Sequence, residues 1–154
     1  MVRIIIVFSL FIFLNNCGFK KINDPSSRTF SIGDIEIIGE KKLGLEIQNR
    51  VVVSSNKDSE NTLFLKLNLS KIKTVKEKDI TNKVTKYNIE LSSNIEIKSN
   101  NEIIEKTFIE RGDYSVSSNF TDTMRSEKNL ENTLANRIAE DLVNFLKIRY
   151  RNDT

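Results

Sequence analysis

Apolar and polar positions change rhythm several times along the chain, and each rhythm predicts an element. Residues 4–14 are an uncharged apolar run of 11 residues, broken only by Ser9 and preceded by Arg3. A membrane-spanning helix needs about 20 apolar residues, so this run reads as an export signal and not as a permanent span. From Thr29 polar and apolar residues alternate through Ile32, and Asp34 to Ile38 continue as a first strand, with Gly33 marking a bulge. Between Lys41 and Ser54, the four-residue spacing of Leu43, Ile47 and Val51 predicts a helix, although Val51, Val52 and Val53 in succession also suit a strand. Leu63, Leu65, Leu67 and Leu69 then alternate with polar neighbours, which predicts a half-buried strand in spite of leucine's helix preference. Residues 71–83 hold Lys71, Lys73, Lys76, Lys78 and Lys83 against Glu77 and Asp79, and read as a basic connecting loop.

The odd positions Thr85, Tyr87, Ile89, Leu91, Ser93, Ile95 and Ile97 keep an unbroken period of two. Such a strand exceeds the usual five or six residues, and implies a sheet that projects beyond its helical cover. Ser99, Asn100 and Asn101 give a turn signal, after which Ile104, Phe108, Tyr114 and Val116 mark a return strand with Gly112 as a bulge. The period then changes to four: Leu130, Leu134, Ile138, Leu142 and Leu146 form one stripe, widened by Ala135, Ala139 and Phe145. This predicts an amphipathic helix of about 25 residues, capped near Thr121 or Asp122 and ending in the basic turn of Lys147, Arg149 and Arg151. The order β-α-β-β-β-α predicts an α+β fold, a two-layer sandwich in which a four-stranded, mostly antiparallel sheet has two helices packed on one face.

Composition removes chemistry more than it adds it. The 154 residues include one cysteine, no histidine and no tryptophan. A histidine-dependent triad, an imidazole switch and an internal disulfide are therefore excluded, and the usual zinc ligand sets are missing. With 5 glycines there is no Walker A loop, dinucleotide fingerprint or nucleophile elbow. Carboxylate pairs such as Glu102 with Glu105 and Glu140 with Asp141 read as solvated charge. No catalytic residue, metal site or cofactor is expected, and a net charge of +3 leaves no nucleic-acid footprint.

The single cysteine is the informative residue. Leu14, Asn15, Asn16, Cys17 and Gly18 follow the apolar run directly. They resemble a bacterial lipobox, in which the cysteine after the cleavage site is lipidated; Asn16 stands where the motif prefers a small residue. An ordinary secretory signal with an incidental cysteine is the alternative, but an exported unpaired thiol is a reactive liability that a lipidated one avoids. The organisation that follows is a signal peptide over residues 1–16, a lipidated tether over 17–27 holding the only proline, Pro25, a domain over 28–150 and a polar tail over 151–154. Gly18 in place of aspartate resembles the pattern sorted to the outer membrane. Arg50, Lys76, Lys78, Lys83, Lys86 and Arg111 are placed by this reading near the long hairpin, where Lys83, Lys86 and Arg111 are candidates for the phosphates of an anionic lipid. Dispersed solubilising charge is the alternative.

Three stretches carry a resemblance: Cys17-Gly18-Phe19, the strand opening from Lys83 to Ile89, and Arg111-Gly112 through the helix segment from Ala135 to Leu142. Together they resemble the LptE family of lipopolysaccharide-assembly lipoproteins, in particular its alphaproteobacterial branch. The resemblance implies a domain seated as a plug inside the outer-membrane β-barrel LptD. It also implies help in folding that barrel, and binding of lipopolysaccharide during its delivery to the outer leaflet. It implies no enzymatic activity, and it places the chain in the outer membrane, facing the periplasm and anchored through Cys17. Two other classes are open on the residues alone: a lipoprotein scaffolding a different envelope assembly machine, and a soluble exported enzyme, for which Cys17 would be dispensable.

Overall fold

The computed structural model describes residues 29–99 and 102–150. Its elements are β1 (Ser31–Gly39), α1 (Lys41–Val53), β2 (Thr62–Lys78), β3 (Val84–Ser99), β4 (Glu102–Ser115) and α2 (Phe120–Arg149). The sheet order is β1-β2-β3-β4, with β1 parallel to β2 and the other two pairings antiparallel. This is the expected α+β arrangement. Cys17, the signal and tether segments, the Asn100-Asn101 part of the turn, Arg151 and the polar tail lie outside the described residues.

One sheet face holds the core. Leu63, Leu65, Leu67 and Leu69 of β2 and Ile89, Leu91, Ile95 and Ile97 of β3 are buried, as the period of two requires. The register puts Ile35 and Ile37 of β1 and the even positions of β4 on that same face. α1 and α2 close it, with Leu43, Ile47 and Val51 from the first and Leu134, Ile138, Leu142 and Leu146 from the second. Each fully buried side chain of this size contributes about 1.5–3 kcal/mol. The ambiguous segment is a helix because only every fourth position is needed inside: Val51 is buried, while Val52, Val53 and Leu45 point to solvent. Gly44 lets α1 approach β1 closely, since a Cβ there would stand 2.4 Å from Ile37 Cγ2.

The expected bulge at Gly33 is present as a register shift between Ile32 and Asp34. The expected bulge at Gly112 is not: β4 pairs with β3 without interruption, Ile89 opposite Gly112. That glycine serves packing instead, because a Cβ would lie 2.5 Å from Leu130 Cδ1 of α2. The basic loop expected over residues 71–83 is also corrected. β2 continues to Lys78 and only the residues between it and β3 turn, since the strand keeps its ladder with β3 while lysines take over the inward positions. α2 is 30 residues long, longer than expected, and its cap is Asn119, whose side chain accepts the Thr121 N–H at 2.9 Å.

Candidate functional site

The β2–β3 hairpin extends past the point where β1 stops. β1 ends opposite Leu69, and β2 runs on through Lys78, nine more residues or about 30 Å at the rise of a strand. The turn at its tip is built around Asp79. Its Oδ1 accepts from the Thr81 N–H at 2.8 Å, the Thr81 hydroxyl at 2.7 Å and the Lys83 N–H at 3.0 Å. The Thr81 hydroxyl and the Lys83 backbone N–H hold the Asp79 carboxyl below its ordinary pKa. Asn82 completes the turn in the left-handed region at φ 66°, which asparagine tolerates better than most residues.

The three candidate cations sit in this part of the sheet, on the face away from the helices or in the turn. Lys83 is exposed and makes no ion pair among the described residues. Lys86 donates to Glu77 at 2.8 Å, and Arg111 donates from Nε to Glu90 at 2.6 Å. Alongside them Lys76 is bonded to Asp113, which also accepts from Asn88 at 2.8 Å. The Lys76 ammonium, then the Asn88 amide, hold the Asp113 carboxyl below its usual range, and the Glu77 carboxylate raises Lys86. The hairpin end is therefore a lattice of cross-strand pairs and not a bare basic patch. Arg50 does not belong to it: its guanidinium bonds Glu140 at 3.0 Å and joins the two helices.

On the helix face, the stretch that reads as a loop in sequence forms a network. Lys71 donates to Glu131 and Lys73 to Glu127, each at 2.8 Å. Tyr114 donates its hydroxyl to the same Glu127 at 2.8 Å, and the Lys73 ammonium lies 4.4 Å from the centroid of the Tyr87 ring, which stacks on Tyr114 at 5.6 Å. Burial alone would push the Glu127 carboxyl up; the bonds from Lys73 and Tyr114 outweigh it, and the group lies below its ordinary value. Tyr114 is raised, first by burial. Sequence reasoning missed this network because its partners stand 54 and 60 residues away in the chain. The signal that was present was the β-branched residues Ile72, Thr74 and Val75, which favour a strand beyond Leu69.

Among the described residues there is no cluster of potential metal ligands and no helix long and apolar enough to cross a membrane. No family model matches the chain, and no curated protein matches it. Solved structures do. Rare lipoprotein B from Shewanella oneidensis is similar at a TM-score of 0.57 and 14% identity, over 74% of this chain and 93% of that one. An uncharacterized lipoprotein B from Nitrosomonas europaea is similar at 0.58 and 10% identity, over 82% and 88%. A minor lipoprotein from Acinetobacter baumannii is similar at 0.55 and 10% identity, over 77% and 94%. At these identities the likeness is one of fold.

Proposed function

We propose that this chain is a lipid-anchored lipoprotein of the outer membrane that seats as a plug in the LptD barrel and takes part in moving lipopolysaccharide to the outer leaflet, without catalysis. The observation that supports this most is the fold shared with three chains named as lipoproteins, matched over 88–94% of their own length. It stands beside the Cys17 sequence context and the resemblance to LptE, which shares Cys17-Gly18-Phe19 with that context. The projecting hairpin fits the role: a narrow sheet extension with short cross-strand ion pairs is a shape that enters a lumen. Exposed ion pairs contribute little net stability, so lipid phosphates can take Lys86 and Arg111 from their carboxylates at small cost. Guanidinium and ammonium groups then form charge-assisted bonds to phosphate, and Lys83 has no short ion pair among the described residues to break first.

The test reverses the three charges together. Lys83→Glu and Arg111→Glu alter exposed positions and Lys86→Glu a half-buried one outside the core, and the three are expected to leave the fold intact, as circular dichroism and thermal unfolding will show. Retention of purified lipopolysaccharide should fall about tenfold. Unchanged retention by a folded triple variant would remove the hairpin from the lipid-binding role.

A further inference from the structure

β2 is covered along its first half and bare along its second. β1 pairs with it from Thr62 to Leu69, and α1 follows β1 back across the same half, while from Ser70 onward β2 has no strand neighbour on that side among the described residues. The Leu69 carbonyl points to that side, where it accepts the Glu40 N–H at 3.4 Å. Backbone groups alternate in direction along an antiparallel strand, so Lys71, Lys73 and Val75 direct their N–H and C=O groups into the lane that β1 leaves empty. Beside this lane runs a groove of about 590 Å³, bounded by Lys42 at the start of α1, Lys71 of β2, and Met124, Arg125 and Lys128 of α2.

The charges of the groove are of one sign once internal pairs are set aside. Glu127 and Glu131 are occupied by Lys73 and Lys71. Lys42 and Lys128 make no ion pair among the described residues, and Arg125 only approaches Asp122 at 3.8 Å. The first turn of α1 contains no acidic residue, but Glu40 precedes it as the N-cap and its carboxylate lies 3.8 Å from the Lys71 ammonium, so the excess positive charge of the groove rests on Lys42 and Lys128. Met124, 49% exposed, supplies an apolar wall. Inward-pointing lysines on an edge strand ordinarily discourage pairing. Here both are bonded to α2, which leaves the backbone edge open while the free cations select what approaches.

We propose that this groove receives an extended acidic segment of a partner protein, which adds to β2 as a further strand. Its backbone pairs with Lys71, Lys73 and Val75, and its carboxylates face Lys42, Arg125 and Lys128. The chain's own leading segment has the wrong sign, with Lys20, Lys21 and Arg28, and it enters β1 at the opposite end from Gly39. The inference needs a protein partner but no particular one, and it stands or falls apart from the barrel reading.

A soluble peptide of roughly ten residues, alternating glutamate with valine, is the probe, a length that matches the open strand. Added to the full-length protein, it should slow amide exchange at Lys71, Lys73 and Val75 about tenfold, and the double variant Lys42→Glu with Lys128→Glu should weaken its binding about tenfold. Lys57→Glu, in the α1–β2 connection, is the control and should bind as wild type does. A peptide with lysine in place of glutamate should bind about tenfold more weakly. The proposal is overturned if both peptides bind equally, if neither binds, if the slowed amides lie on β4, or if self-association protects β2 without any peptide.

Discussion

Gly39→Ala is expected to destabilise the domain by about 3 kcal/mol or more, a large share of the 5–15 kcal/mol that holds a typical domain together. Gly39 ends β1 at φ 87°, a conformation that costs a residue with a Cβ about 1–2 kcal/mol. Sterics add to this, because the new Cβ would stand 1.9 Å from the carbonyl oxygen of Leu69, whose side chain is buried in the core. Relief requires β1 to part from β2 or the turn into α1 to be rebuilt, and either change disturbs the packing that both helices share. Gly33→Ala is the informative contrast. Its closest neighbour is the ring of Phe64, 49% exposed, which can swing into solvent. Urea unfolding of the two variants should therefore separate them by about 2 kcal/mol, and equal losses would contradict the strained geometry assigned to the end of β1.

Cys17→Ser is the second large effect. The wild type should incorporate a labelled fatty acid, and the variant should lose the label entirely. Several acyl chains at about 0.8 kcal/mol per buried methylene make a stable anchor, where a single chain is marginal. Among the described residues no helix is long and apolar enough to cross a membrane, so no helical span takes over as the anchor. Label on the serine variant, or none on the wild type, would contradict lipidation at this residue.

Much of the fold was legible because two long elements have a single dominant period. The stripe from Leu134 to Leu146 and the odd positions of β3 read the same in sequence and in structure. What was not legible depends on partners distant in the chain. The second half of β2 looks like a loop because its inward residues are Lys71 and Lys73, and partners distant in the chain, chiefly Glu131 and Glu127 of α2, make those positions tolerable. Gly112 reads as a bulge because a missing side chain in a strand is equally a sign of close approach, here by Leu130. The helix cap was displaced by two or three residues since Asn119, Thr121 and Asp122 are all good capping types, and the hydrogen bond to the Thr121 N–H decides among them. Lys86 and Arg111 lie on one part of the sheet with Lys83 in its turn, but Arg50, grouped with them on the sequence, lies between the helices, and the carboxylates were not anticipated. Glu90 faces Arg111 and Glu77 faces Lys86 only once the strand register is known.

The central claim is the barrel partner, and the most direct measurement is crosslinking in intact cells followed by isolation of the tagged full-length chain and mass spectrometry of what comes with it. The account predicts one large outer-membrane β-barrel recovered in constant proportion to the chain, together with lipopolysaccharide. Recovery of the chain alone, or with a different assembly protein and no lipopolysaccharide, would contradict it.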